Sequence, residues 1–88
     1  MINSSRKLLN TLIGLYGEPE NANWKDYQGT IKKYVLMFFI DNPDQKVVIS
    51  RSRYRRMNDG GIHTWSTWDE IERIMIKNGL QENIEWVE

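Results

Sequence analysis

The amino-acid sequence predicts a small α+β domain, in which a mostly antiparallel sheet of three to four strands packs against two helices in the order α-β-β-β-α-β. Three observations support this fold class: a helical apolar pattern near the start, a long apolar run in the middle, and a helix-capping signature near the end. The chain has 88 residues, of which 40% are hydrophobic, so we expect one compact domain over residues 1–88 rather than a disordered chain.

The first helix is predicted over residues 4–16. Its apolar residues recur at intervals of three and four and therefore share one helical face: Leu8, Leu9, Leu12, Ile13 and Tyr16. Gly17 and Pro19 then end the helix. The polar segment that follows is predicted to be a loop, in which Trp24 and Tyr27 either contact the core or form a short strand.

Three strands are predicted next. Residues 31–40 carry apolar side chains on both alternating faces, which is typical of a central strand buried on both sides. A turn at residues 41–45 leads to a second strand over residues 46–55. The segment "NDGG", residues 58–61, has the residues of a tight hairpin turn and precedes a short strand at residues 62–65.

A second helix is predicted to begin at Ser66 and Thr67. Thr67 and Glu70 have the spacing of a capping box. Gly79 is placed to end the helix in the left-handed conformation, and the alternating residues 83–88 predict a last strand. The core-facing side of this helix is predicted to carry Ile71, Ile74 and Met75, with Trp68 as an optional fourth member.

Charge is distributed unevenly along a chain whose net charge is zero. Residues 25–56 contain eight basic and three acidic side chains, whereas residues 57–88 contain two basic and seven acidic ones. A neutral chain is not expected to bind polyanions in general, but its opposite poles allow self-association.

The densest run of charge is "SRSRYRR", residues 50–56. On a strand, Arg51, Arg53 and Arg55 would share one face, with neighbours about 6.6 Å apart. Guanidinium groups in such a row suit the phosphates of RNA or DNA, beside a tyrosine for stacking. An exposed strand end without a partner would have the same composition. The hairpin prediction adds two lysines, so the candidate binding residues are Lys32, Lys33, Arg51, Arg53, Tyr54, Arg55 and Arg56.

The second helix also carries an acidic face, formed by Asp69, Glu70 and Glu72. These carboxylates either pair with the arginines inside the folded chain or form a second patch for a protein partner. Pairing inside the chain would make contact with nucleic acid less favourable.

Little in the sequence suggests catalysis. The chain has no cysteine, and His63 is the only histidine, so neither a metal site nor a cofactor is expected. A ribonuclease that uses His63 with Glu70 and Arg55 is a minor alternative. The longest apolar run, residues 34–40, is much shorter than the roughly 20 residues of a membrane span, and the absence of cysteine suits the cytoplasm.

We therefore predict a small non-catalytic binding protein that docks on a protein partner through a basic β-hairpin and an acidic helix. The alternative is an RNA- or DNA-binding protein that uses the arginines of residues 51–56. In its size, its lack of cysteine and its ten aromatic residues, the chain resembles small phage-encoded accessory proteins that bind and block host factors. The resemblance lies in the whole chain and not in one motif. It implies an inhibitor or adaptor role.

Overall fold

A computed structural model describes residues 1–20, 23–59 and 66–88, without the side chains of residues 58 and 59. In chain order, its elements are α1 (Ser5–Tyr16), α2 (Trp24–Asp41), β1 (Val47–Ser50), α3 (Arg51–Asp59), α4 (Thr67–Lys77), a 3-10 turn (Gln81–Asn83) and β2 (Ile84–Val87). The described part is thus a small α+β structure with four α-helices and a sheet of two parallel strands. The prediction of an antiparallel sheet with three to four strands is wrong.

The largest correction concerns residues 31–40, which belong to α2 and not to a central strand. Within this run the buried residues Ile31, Val35 and Phe38 are spaced by four and three, as on one face of a helix. A short run that is apolar on all sides does not distinguish a buried strand from a helix by its periodicity. The Asn23 side chain caps this helix, because its Oδ1 accepts a hydrogen bond from the backbone amide of Asp26 at 2.9 Å. The helix therefore begins inside the segment that was predicted as a loop.

The second correction concerns residues 46–55, where the strand stops at Ser50 and α3 begins. Ser50 acts as an N-cap, because its Oγ accepts the backbone amide of Arg53 at 3.2 Å. Asn58 and Asp59 of the predicted hairpin turn lie in α3. The remainder of that turn, the predicted strand at residues 62–65 and His63 lie outside the described residues.

The sheet joins two distant parts of the chain. β1 and β2 pair in parallel from Val47 opposite Ile84 to Ser50 opposite Val87. On the other side of β1, the amide of Ile2 donates to the carbonyl of Lys46 at 2.8 Å. The tail therefore does form a strand, as its alternation predicts, but in a parallel arrangement.

The helices pack around one apolar core, with α1 lying mainly on α4 and making smaller contacts with α2 and β1. Tyr34 of α2 also contacts the C-terminal end of α1, because its hydroxyl donates a hydrogen bond to the Gly17 carbonyl at 2.9 Å. The buried core consists of Leu8, Leu9, Leu12, Ile31, Val35, Phe38, Phe39, Val47, Ile49, Ile71, Ile74, Met75 and Ile84.

The ends of α4 follow the sequence closely. The capping box is formed by Ser66 and Asp69, one residue before the predicted pair. At the other end Gly79 has φ of 75°, and the amide of Leu80 donates to the Met75 carbonyl at 2.9 Å. Ile71, Ile74 and Met75 are buried as predicted, whereas Trp68, the optional member of that face, is exposed.

No helix in the described part of the chain combines the length and the apolar character needed to cross a membrane.

Leu12 and Leu15 offer a matched test of this packing. Leu12 is fully buried, whereas Leu15 on the same helix is 59% exposed. Leu12→Ala should lower the free energy of unfolding by about 2–5 kcal/mol, because it removes apolar contacts and leaves a cavity. Leu15→Ala should change it by less than about 0.5 kcal/mol. Equal effects of the two substitutions in urea unfolding would contradict the assignment of the buried face of α1.

Candidate functional site

Helix α3 presents two different sides. Successive residues on a helix are about 100° apart, so Arg51 and Arg55 lie together while Arg53 lies nearly opposite them. The structure agrees, because Arg51, Arg55 and Arg56 are exposed and Arg53 is partly buried. The expected row of Arg51, Arg53 and Arg55 on one face is therefore wrong, because these residues form a helix and not a strand.

The inner side of α3 is held to α4 by Arg53. Its Nη1 contacts Asp69 Oδ1 at 2.7 Å, and its Nη2 contacts Glu72 Oε2. The same Glu72 oxygen accepts a hydrogen bond from Ser5 Oγ of α1 at 2.7 Å. We call these four residues, Ser5, Arg53, Asp69 and Glu72, the Arg53 clamp; it joins α1, α3 and α4.

Each carboxylate oxygen of Asp69 makes a separate contact. One carboxylate oxygen contacts Arg53, and the other accepts a hydrogen bond from Ser66 Oγ at 2.6 Å. The capping box at the start of α4 therefore orients the carboxylate that receives the arginine. An acidic residue is favoured at this end of a helix by the backbone dipoles as well.

Glu72 is the most constrained member of the clamp. It is only 1% exposed, and its Oε1 has no hydrogen-bond partner among the described residues. Burial raises the pKa of this carboxyl above its ordinary value, against the lowering effects of the Ser5 hydroxyl and the Arg53 guanidinium. The ionised carboxylate therefore depends on Arg53 for compensation of its charge.

The predicted acidic face is thus largely internal. Asp69 and Glu72 are buried against Arg53. Glu70 is half-buried, and its Oε2 lies 3.5 Å from Nη1 of Arg73 on the same helix. The sequence left two alternatives for these carboxylates. Pairing with the arginines inside the chain is the one that applies to Arg53.

We call the side of α3 that carries Arg51 and Arg55, away from Arg53, its outer side. Near Arg51 it contacts β2 through aromatic rings. The Arg51 guanidinium lies over the Trp86 ring, 4.9 Å from its centroid. The Tyr54 ring contacts the same Trp86 edge-on, with the centroids 5.9 Å apart. Arg51 is therefore held in place by a cation–π contact, while Arg55 and Arg56 are exposed to solvent.

Lys32 and Lys33 lie elsewhere on the fold. Both are exposed on α2, and the hairpin that was expected to bring them beside the arginines does not form. The exposed basic residues of α3 are therefore Arg51, Arg55 and Arg56. By helical spacing Arg55 lies beside Arg51, and Arg56 lies about 100° further round, toward the side of Arg53.

An open groove of about 420 Å³ lies on the clamp side of α3. There the guanidinium of Arg6 lies over the Trp68 ring, 5.1 Å from its centroid. The groove brings together the first turns of α1 and α4, which no local sequence pattern signals. Its lining residues are Ser4, Ser5, Arg6, Arg53, Met57, Trp68 and Asp69.

The described residues contain no group of three or more acidic or histidine side chains that could hold a metal ion. The minor ribonuclease alternative centres on His63, which lies outside the described residues.

Comparisons with known proteins add no family to this description. No protein-family model matches the sequence, and comparisons with curated proteins and with solved structures found no match. A functional hypothesis therefore rests on the residues of this chain.

Glu72→Gln tests the charge state of the clamp. Because burial raises the folded-state pKa of Glu72, the folded chain binds a proton over a pH window in which the unfolded chain has released it. The wild-type free energy of unfolding should therefore fall as pH rises through that window. Glutamine carries no such titration, so the stability of the variant relative to the wild type should be higher at about pH 8 than at about pH 5.

Urea unfolding of both proteins at the two pH values measures this difference. A relative stability that is independent of pH, or that shifts in favour of the wild type at high pH, would contradict the raised pKa.

Proposed function

We propose that this protein is a non-catalytic binding protein that docks on an acidic surface of a protein partner through the outer side of α3. The observation that carries the proposal is the cluster of exposed Arg51 with the half-buried rings of Tyr54 and Trp86, together with exposed Arg55 and Arg56 on the same short helix. Within the described residues, none of these three arginines forms an ion pair, so their charge remains available for a partner.

The residue types of this cluster support a protein interface. Tryptophan, tyrosine and arginine are enriched among the residues that dominate binding energy at protein interfaces. Arg51 already lies over Trp86 in the free chain, so less side-chain entropy is lost when a partner binds it. The Arg53 clamp fixes the inner side of α3, so the outer arginines project from a supported helix.

The charge pattern favours a protein over a nucleic acid. Two carboxylates neutralise Arg53, and only three arginines of α3 face solvent. A surface of this size suits a discrete acidic patch, whereas nucleic-acid binding gains affinity from many phosphate contacts. An inhibitor or adaptor role, as the sequence suggests, requires no more than such a docking surface.

Charge reversal on α3 tests the proposal. Arg55→Glu with Arg56→Glu should weaken binding to the partner at least tenfold, because two attractive contacts become repulsive. Lys25→Glu with Lys46→Glu makes the same change in charge at two exposed sites outside α3 and should leave binding unchanged. The partner is identified by crosslinking and mass spectrometry, and the affinities are then measured by titration calorimetry with the purified partner.

Nuclease treatment and salt titration separate the two classes of partner. The proposed protein complex should survive nuclease and retain its affinity through aromatic contacts at high salt. A tight complex with plain oligouridine that is lost in the Arg55/Arg56 variant, with a log–log salt slope of about −0.7 per phosphate contact, would overturn the proposal in favour of nucleic-acid binding.

A further inference from the structure

The outer face of α2 carries apolar side chains that the core does not use. Met37 is 46% exposed and Ile40 is 76% exposed, although both belong to the most apolar segment of the chain. They lie three residues apart and therefore on the same side of the helix. The opposite side of α2 supplies the core residues, so the fold itself gives no reason for apolar side chains at these two positions.

Two opposite charges flank this apolar pair at equal spacing. Lys33 precedes Met37 by four residues and Asp41 follows it by four, and all three are exposed on one face. Along a helix, Lys33 and Asp41 are separated by about 12 Å, too far for an ion pair within one chain. Neither forms an ion pair with another described residue.

When a second copy of α2 runs in the opposite direction, its Lys33 and Asp41 stand in the opposite order, so the two faces are complementary in charge. From this complementarity we infer that two copies of the chain form a homodimer by packing α2 against α2 in antiparallel orientation, with the two-fold axis near Met37. In such an isologous interface each contact occurs twice, so Lys33 of each copy lies opposite Asp41 of the other. The two Met37 side chains meet at the centre of the contact, and the Ile40 side chains pack beside them.

A second copy suits this face better than an unrelated protein of one dominant charge. An acidic partner would match Lys33 but repel Asp41, and a basic partner would do the reverse. Only a surface with the two charges in the opposite order satisfies both, and an antiparallel copy of α2 supplies it.

The dimer is expected to be weak. One helix pair with two exposed apolar residues on each side buries less than the roughly 1,200 Å² typical of stable interfaces. We therefore expect a reversible monomer–dimer equilibrium with a dissociation constant of about 10 μM to 1 mM. The inference is independent of the proposed function, because it uses α2 and not the outer side of α3.

Sedimentation equilibrium of the full chain, up to about 1 mM, tests the dimer through charge reversal. Lys33→Glu places a glutamate opposite Asp41 of the second copy, and Asp41→Lys places two lysines opposite each other. Each variant alone should weaken dimerisation at least tenfold, with unchanged circular dichroism. Both substitutions lie on an exposed face, and a lysine at the end of α2 also suits the helix dipole.

Mixing the two variants is the decisive step. In a mixed dimer the introduced glutamate of one chain meets the introduced lysine of the other, and the native Asp41 meets the native Lys33, so both pairs attract again. The mixture should dimerise as the wild type does, and so should the chain that carries both substitutions. Lys7→Glu, the same change on the exposed surface of α1, should leave the equilibrium unaltered.

Three results on the wild type, the single variants and their mixture would overturn the inference. They are a wild-type chain that stays monomeric at about 1 mM, single variants that dimerise like the wild type, and a mixture that fails to restore the dimer. Weakening by Lys7→Glu equal to that by Lys33→Glu would also contradict it, because general charge repulsion would then explain the effect. Variants of Arg55 and Arg56 should dimerise normally, so failure of the docking proposal and failure of the dimer are distinguishable.

Discussion

The contact between Arg53 and the two carboxylates of Asp69 and Glu72 fixes the position of α3, and the character of the surface follows from it. Breaking a buried ion pair by removing one partner costs about 3–5 kcal/mol, because a buried charge is left uncompensated. The cost here is smaller than that full value, since the Arg53 side chain is one-third exposed. It still exceeds the contribution of an ion pair between two fully exposed side chains, which is about 0–1 kcal/mol.

The same contact explains how a neutral chain with a basic middle and an acidic end is organised. Part of the opposite charge meets inside the fold at the Arg53 clamp, where Ser5 adds α1 to the link between α3 and α4. What remains on the outer side of α3 is a smaller basic surface, and Trp86 of β2 supports it. One short helix thus has a side that is fixed to α4 and an exposed basic side.

The elements that the sequence predicts well are those with local signals. Helix α1 has regular apolar spacing, and α4 has a capping box and a terminal glycine, so their bounds lie within one or two residues of the prediction. The apolar run of α2 lacks such contrast, because Met37 and Ile40 are as apolar as the buried residues beside them. The parallel pairing of β1 with β2 joins segments more than thirty residues apart, and no local pattern specifies it.

For the candidate site, the sequence identifies the cluster of arginines but assigns them to the wrong faces. The valine and isoleucine residues of β1 favour a strand, and the prediction extended that strand beyond Ser50. After Ser50 arginine recurs at alternate positions, but no row of apolar residues accompanies it on the other face, and arginine is a good helix former. The sequence offered pairing of the acidic residues with the arginines as one of two alternatives, without naming the pairs. The pairing of Arg53 with Glu72 depends on how α1, α3 and α4 pack together, which no local pattern specifies.

The central claim is that the Arg53 clamp holds α3 on the body of the protein. Amide hydrogen exchange followed by nuclear magnetic resonance tests it most directly, with Arg53→Met introduced into the Glu72→Gln variant. In that background Glu72 is not left as an uncompensated buried charge, and Asp69 keeps its hydrogen bond from Ser66. Relative to Glu72→Gln alone, which keeps the contact of Arg53 with Asp69, we expect lower protection of the α3 amides and unchanged protection in α1 and α4. Equal protection of α3 in the two variants would contradict the claim.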